Sequence, residues 1–188
     1  MTNAKDKEAT TESIAAETIT EEMKDSPLHK FFIDGLKDMY YAEKALVGAL
    51  KKMHEAATTE ELKDAFEDHQ LQTQIHKQRL EKVFRLMGEK AEEKECHAIV
   101  GLIKEAKEII SSTKEGTMTR DAALIIAAQK VEHYEIASYG GLAQLAITMD
   151  HRKVANILEK TLEEEEETDQ LLTEIAETSI NFEAEEED

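Results

Sequence analysis

The sequence predicts an all-α chain folded as a four-helix bundle, with an extra helix in one long crossover. Three observations predict it. Gly is 7 and Pro is 1 in 188 residues, too little turn punctuation for many short strands. Four long stretches place apolar residues at the 4-3 spacing of a bundle seam. Their order, two short-turn hairpins joined by a long connection, is a one-crossover topology. A chain of this length suits one core, so residues 27–178 are expected to form a single domain between an acidic, disordered N-terminal tail (1–26) and an acidic C-terminal tail (179–188).

Ser26-Pro27 starts the first long helix, with Ser able to cap and Pro pre-set for the first helical position. That helix covers about 28–54 with Phe32, Leu36, Met39, Leu46, Leu50 and Met53 as its seam, interrupted once at Glu43. Thr58 with Glu61 reads as a capping box opening a second helix that ends at Gly88. Its seam is Leu62, Phe66, His69, Thr73, His76, Leu80 and Val83. An amphipathic stretch over about 91–114 supplies the crossover helix. The third bundle helix, about 119–149, turns Leu124, Ala128, Glu132, Glu135, Tyr139, Leu142 and Ala146 inward. Asp150 is placed to cap the fourth, about 151–178, whose seam reads Leu158, Leu162, Glu165, Asp169 and Leu172.

The net charge of −19 opposes nucleic-acid binding, which depends on basic contacts to phosphate. Most of that charge is local: residues 1–26 hold 3 basic and 7 acidic residues, 159–169 hold 1 and 7, and 177–188 hold 0 and 6. No stretch has the apolar length of a membrane span, and the N-terminus lacks a secretory apolar core, so a cytoplasmic location is expected. Cys96 is the single cysteine, which excludes an internal disulfide and reads as a small packed residue.

Every bundle helix carries polar residues in the middle of its apolar seam. Glu43 lies about 11 residues before its helix ends, and His69 to His76 lie about 9 to 16 after theirs begins, which gives similar heights at ~1.5 Å per residue. Glu132 and Glu135 in the second hairpin match Glu165 in the same way. Burying the carboxylates of Glu43, Glu132, Glu135, Glu165 and Asp169 without compensation costs several kcal/mol each, or forces protonation. Two divalent cations nearly balance five carboxylates, and an oxygen and imidazole donor set with no thiolate suits iron or manganese. The remaining glutamates of the Glu163–Glu167 run read as a solvated helix face. Tyr40, Tyr134 and Tyr139 lie near these heights; besides packing, such a phenol can donate to a ligand carboxylate, and Tyr139 is the candidate for that role.

The string RDAALIIAAQKVEHYEIASYGGLAQLA from Arg120, with LHKFFIDGLKDMYYAEKAL, GLIKEAKEII and HRKVANILEKTLEEEEETD, resembles the YciF-type ferritin-like family. This is a stress-associated bacterial group, and the resemblance covers about 28–177. It implies a ferritin-like bundle, commonly a homodimer, with a dinuclear iron or manganese centre between the helices. Carried over, the ligands are Glu43, Glu132, Glu135, Glu165 and Asp169. The second helix departs from the pattern: relatives place Glu before the Thr and Gln three residues after it, whereas this chain reads Gln72, Thr73, Gln74, Ile75, His76. His76 stands in for the missing ligand, and His69, Gln72 or Thr73 supplies the neighbouring contact.

Cluster and resemblance together lead to a di-metal oxidoreductase that consumes hydrogen peroxide, catalase-like or as a peroxidase. A ferroxidase without a storage cage uses the same ligands. A metal-free stress bundle acting through partner binding is opposed by the absence of Lys or Arg among the seam residues.

Overall fold

Two helices start in succession up to Pro27. The computed structural model describes residues 19–187, and in it Thr20 caps a short helix, α1 (Glu21–Asp25), by accepting from Met23 N at 3.2 Å. Ser26 then accepts from His29 N at 3.1 Å, and Pro27 opens α2 (Pro27–Ala56). The stretch 1–26 read as a disordered tail is therefore helical over its last turns, and 1–18 lie outside the described residues. The other long helices are α3 (Glu60–Leu86), α4 (His97–Ser112), α5 (Met118–Thr148) and α6 (Arg152–Ile175). A π turn (Ala176–Ile180) and α7 (Asn181–Glu185) close the chain.

The α2/α3 and α5/α6 hairpins pack face to face, α2 on α5 and α3 on α6, while α4 crosses over α2 and α5. This is the one-crossover arrangement read from the seams. At Gly35 a Cβ would lie 2.9 Å from Leu142 Cδ2, so the missing side chain lets α2 and α5 approach. The crossover helix is shorter than its amphipathic pattern. Residues 89–96 instead run along α2, where Glu92 meets Lys37 at 3.0 Å, Glu93 meets Lys44, and Lys94 N donates to Lys37 O at 3.3 Å. These charges pair across the surface rather than along their own helix.

Two caps differ from the sequence reading. Thr59, not Thr58, caps α3, accepting from Leu62 N at 3.4 Å. Asp150 does not cap α6: it takes φ +62° after α5, and His151 N reaches back to Ala146 O at 2.8 Å. That pattern is a Schellman stop, with an aspartate tolerating the left-handed position a glycine usually fills. Gly88 plays the same part after α3, at φ +68°.

The α2–α3 turn is held from outside by Asp121, which is fully buried. Its carboxylate accepts from Thr58 N at 2.7 Å, from Thr59 N at 2.8 Å and from the Thr59 hydroxyl at 2.9 Å. Removing it strands two amides and a hydroxyl, each costing roughly 1–3 kcal/mol when buried without a partner. Asp121→Ala is expected to lower the thermal midpoint by on the order of 10 °C with unchanged helicity below the transition, read by circular dichroism.

The C-terminal segment is not merely a solvated tail. Ile180 is buried against the core, and Glu187 accepts from Met118 N at 2.7 Å and Thr119 N at 3.0 Å. A carboxylate there satisfies free amides and complements the positive end of α5. Among the described residues, no helix is long and apolar enough to cross a membrane.

The core is divided in two. One apolar cluster gathers Leu46, Leu50, Phe66, Leu124 and Leu172; the other gathers Phe32, Leu36, Leu80, Phe84 and Leu158. Each fully buried side chain of this size contributes roughly 1.5–3 kcal/mol. Between the clusters lies a layer that is polar and equally dry.

Candidate metal centre

Six side chains converge in that layer: Glu43 from α2, His69 and His76 from α3, Glu132 and Glu135 from α5, and Glu165 from α6. None is more than 3 % exposed. His69 and His76 are seven residues apart, so one helix face presents both rings. Glu132 and Glu135 use the i, i+3 spacing to the same end.

The six form two overlapping sets. Ligand atoms of His69, Glu132, Glu135 and Glu165 lie within 4.8 Å of one another, as do those of Glu43, His76 and Glu165. Glu165 belongs to both. Its Oε1 is 2.9 Å from His76 Nδ1, and its Oε2 is 4.0 Å from His69 Nδ1. His69 Nε2 lies 3.3 Å from Glu132 Oε1, and His76 Nδ1 lies 3.8 Å from Glu43 Oε1.

Closeness does not become hydrogen bonding. His69 Nε2, His76 Nδ1, Glu43 Oε2, Glu132 Oε2, Glu135 Oε1 and both Glu165 oxygens are buried without an aligned hydrogen-bond partner. Buried polar atoms in native cores are almost always paired, so a cluster of orphans aimed at one another calls for a bound ion. The residues present fit a metal by number, donor type and orientation.

Electrostatics agrees. Burial pushes the Glu43 carboxyl up, and the neighbouring Glu165 adds to it, to about 8. Burial and then the Glu165, Glu43 and Glu132 charges hold Glu135 well above the usual carboxylate range. Glu132 is also raised by burial, against the pull of His69. Burial alone would lower His69, but the Glu132 charge and the surrounding acids outweigh it and raise the ring to about 9. Without metal, Glu43 is driven toward its protonated form and His69 toward its cationic form. Four carboxylates carry the charge that two divalent ions neutralise.

The supporting residues fix the geometry. His76 Nε2 lies 2.8 Å from Glu164 Oε2, and Glu164 is gripped by Arg79 at 2.6 and 2.8 Å. Partial burial pulls Glu164 up, but Arg79 and then His76 pull harder, and it sits at about 2. An ionised Glu164 only accepts, so His76 donates from Nε2, which leaves Nδ1 facing Glu43 and Glu165 as the atom that would meet a cation. Arg79→Ala is expected to weaken metal binding by about 10–100-fold while the six inner side chains stay in place, as titration against a chelator would show. Tyr139 is fully buried and donates to Glu43 Oε1.

Other candidates lie elsewhere. Asp169 turns toward α5, where His133 Nε2 is 3.3 Å away, and joins neither set. Thr73 is buried, but its hydroxyl donates to His69 O at 2.8 Å; Gln72 is half-buried. Tyr40 donates to Glu81 at 3.0 Å, and the Tyr134 hydroxyl is 3.0 Å from Cys96 Sγ. Glu164 and Arg79 escaped the sequence reading, because a run of five glutamates gives no sign which one faces a cation.

Comparison with known proteins places this chain in a family. The model described as "Domain of unknown function (DUF892)" matches residues 27–185. The chain belongs to that family. It is similar to protein YciF of Escherichia coli strain K12, 48% identical over 155 residues, covering 82% of this chain and 93% of the relative. Among solved structures, the E. coli stress protein YciF is 46% identical, with TM-score 0.78, covering 82% of this chain and 97% of that one. YcfI from Rhodopseudomonas palustris is 38% identical with TM-score 0.76, covering 79% and 94%. A Xanthomonas campestris protein at 22% identity, TM-score 0.66 and 85% and 97% coverage shares the fold. The resemblance drawn from the Arg120 string thus extends across the DUF892 region, all-α bundle included.

Proposed function

We propose that this DUF892 chain is a di-metal stress protein that consumes hydrogen peroxide, with two iron or manganese ions between the four bundle helices. The observation that carries it is the pair of overlapping donor sets, whose buried nitrogen and oxygen atoms lack partners. His69, Glu132 and Glu135 would hold one ion, Glu43 and His76 the other, and Glu165 both. The E. coli relative's description as a stress protein supports the setting.

A bound pair of redox-active ions supplies the exchange of two electrons with peroxide. The chain's own residues do the rest. The apolar clusters on either side exclude bulk water, and Arg79 with Glu164 orients His76. Tyr139 holds a proton at its hydroxyl against Glu43 Oε1, and burial and then the Glu43 charge keep that phenol well above its ordinary value. It can therefore donate without ionising.

Metal analysis by mass spectrometry on chain purified without chelator, from cells supplied with iron and manganese, tests the centre. About two ions per chain are expected, with peroxide loss that disappears on chelation and returns on reloading. Two ions without peroxide loss, but with rapid oxidation of Fe(II), would replace this activity with a ferroxidase. Less than about 0.2 ion per chain after anaerobic reconstitution would overturn the centre itself.

A further inference from the structure

About 20 Å along α2 from Glu43, at the opposite end of one apolar cluster, a second group of metal-ligating side chains surrounds a cavity of about 350 Å³. His29 and His151 line it together with Met23, Met149 and Glu22. The two imidazoles come from different hairpins: His29 from the first turn of α2, and His151 from the residue before α6. Both are at most 3 % exposed.

Neither ring nitrogen of His29 has a hydrogen-bond partner. A buried imidazole normally satisfies at least one of its nitrogens, so this ring is placed for something other than packing. Its centroid is 6.5 Å from that of His151, with the planes at 75°. Metal–nitrogen bonds near 2.0 Å put two imidazoles that grip one ion from opposite sides about 6.4 Å apart at their centroids. The same separation is that of an edge-to-face ring contact, and it is also wide enough for one ion held by both rings. Burial and then the His151 ring hold His29 below its ordinary value, which favours the neutral ring with one nitrogen lone pair free to bind a cation.

We propose that His29 and His151, assisted by the thioethers of Met23 and Met149, bind a single soft monovalent cation, Cu(I). Thioether sulfur selects Cu(I) among the biological first-row metals, and imidazole accepts it readily. The mid-bundle centre, rich in carboxylates and without sulfur, is the opposite environment. A monovalent ion also suits a place with a mixed field, where α2 and α6 begin, α5 ends just before Met149, and Glu22 adds a negative charge on the wall.

The test is an anaerobic titration of the full chain with Cu(I) against bicinchoninate, followed by copper-edge X-ray absorption. One Cu(I) per chain should survive competition, with nitrogen and sulfur in its first shell. His29→Ala is expected to weaken it at least about 100-fold, more than losing a supporting residue costs, and Met23→Leu or Met149→Leu about tenfold each. The Leu variants conserve volume, so they report on the site even if His29→Ala folds poorly. Glu165→Ala should retain copper, which separates this site from the mid-bundle centre. Copper stripped from the wild type, retained by His29→Ala, lost in Glu165→Ala or bound without sulfur would overturn the proposal, as would equally tight Zn(II).

Discussion

Glu165→Ala is expected to reduce metal content from about two ions per chain to less than one-tenth of that, a larger loss than any other single substitution in the layer. The reason is position. Glu165 alone belongs to both donor sets, with one oxygen 2.9 Å from His76 and the other 4.0 Å from His69. Removing Glu132 leaves the Glu43 and His76 side intact, and removing Glu43 leaves His69, Glu132 and Glu135. Removing Glu165 leaves neither set complete, and the three remaining carboxylates carry too little negative charge to balance two divalent cations. Metal analysis beside circular dichroism separates this from misfolding: helicity should persist. Full retention of two ions would show that Glu165 is a structural acid and that the sets are independent.

The bundle was legible because its seams are strongly periodic. Phe32, Leu36, Leu46, Leu50, Leu124, Leu142 and Leu158 are all buried, as the 4-3 spacing requires. The inward acids were legible by contrast: Glu43, Glu132, Glu135 and Glu165 occupy apolar phases, where a solvated residue has no room. Asp169 shows the limit of that reasoning. It stands one turn after Glu165, but four residues overshoot a 3.6-residue turn, and the rotation carries it to His133 at the edge of α5. Thr168, three residues on, undershoots toward His69 Nδ1 at 3.5 Å.

Pairings outside the inward-facing seams were not legible. Arg79 and Glu164 are 85 positions apart, and nothing local distinguishes Glu164 from Glu163 or Glu166. The same holds for Asp121, which stands 63 residues from Thr58, and for His29 with His151, whose meeting depends on how the two hairpins stack. Helix periodicity decides which face is buried. Only the packed fold decides what that face meets.

The metal-free chain should lose stability as pH rises from about 5 to 9, and the sign follows from two groups. Glu43 ordinarily titrates at 4.5 and sits at about 8 in the fold, so across that window the folded chain holds a proton the unfolded chain has released. His69 moves from 6.5 to about 9, and the stability from its ion pairing, complete below 6.5, disappears as pH passes 9. Glu164, held at about 2, is ionised in both states above 5 and adds no slope there. Together they imply a thermal midpoint lower at pH 9 than at pH 5.5 by on the order of 10 °C. Bound metal reverses the logic, because the ions displace those protons and bind more tightly as pH rises. Thermal unfolding of chelated and reloaded chain, followed across this range, should give curves that diverge with pH. A metal-free midpoint that climbs with pH would mean that the mid-bundle acids are already ionised and paired, and that the layer needs no cation to be stable.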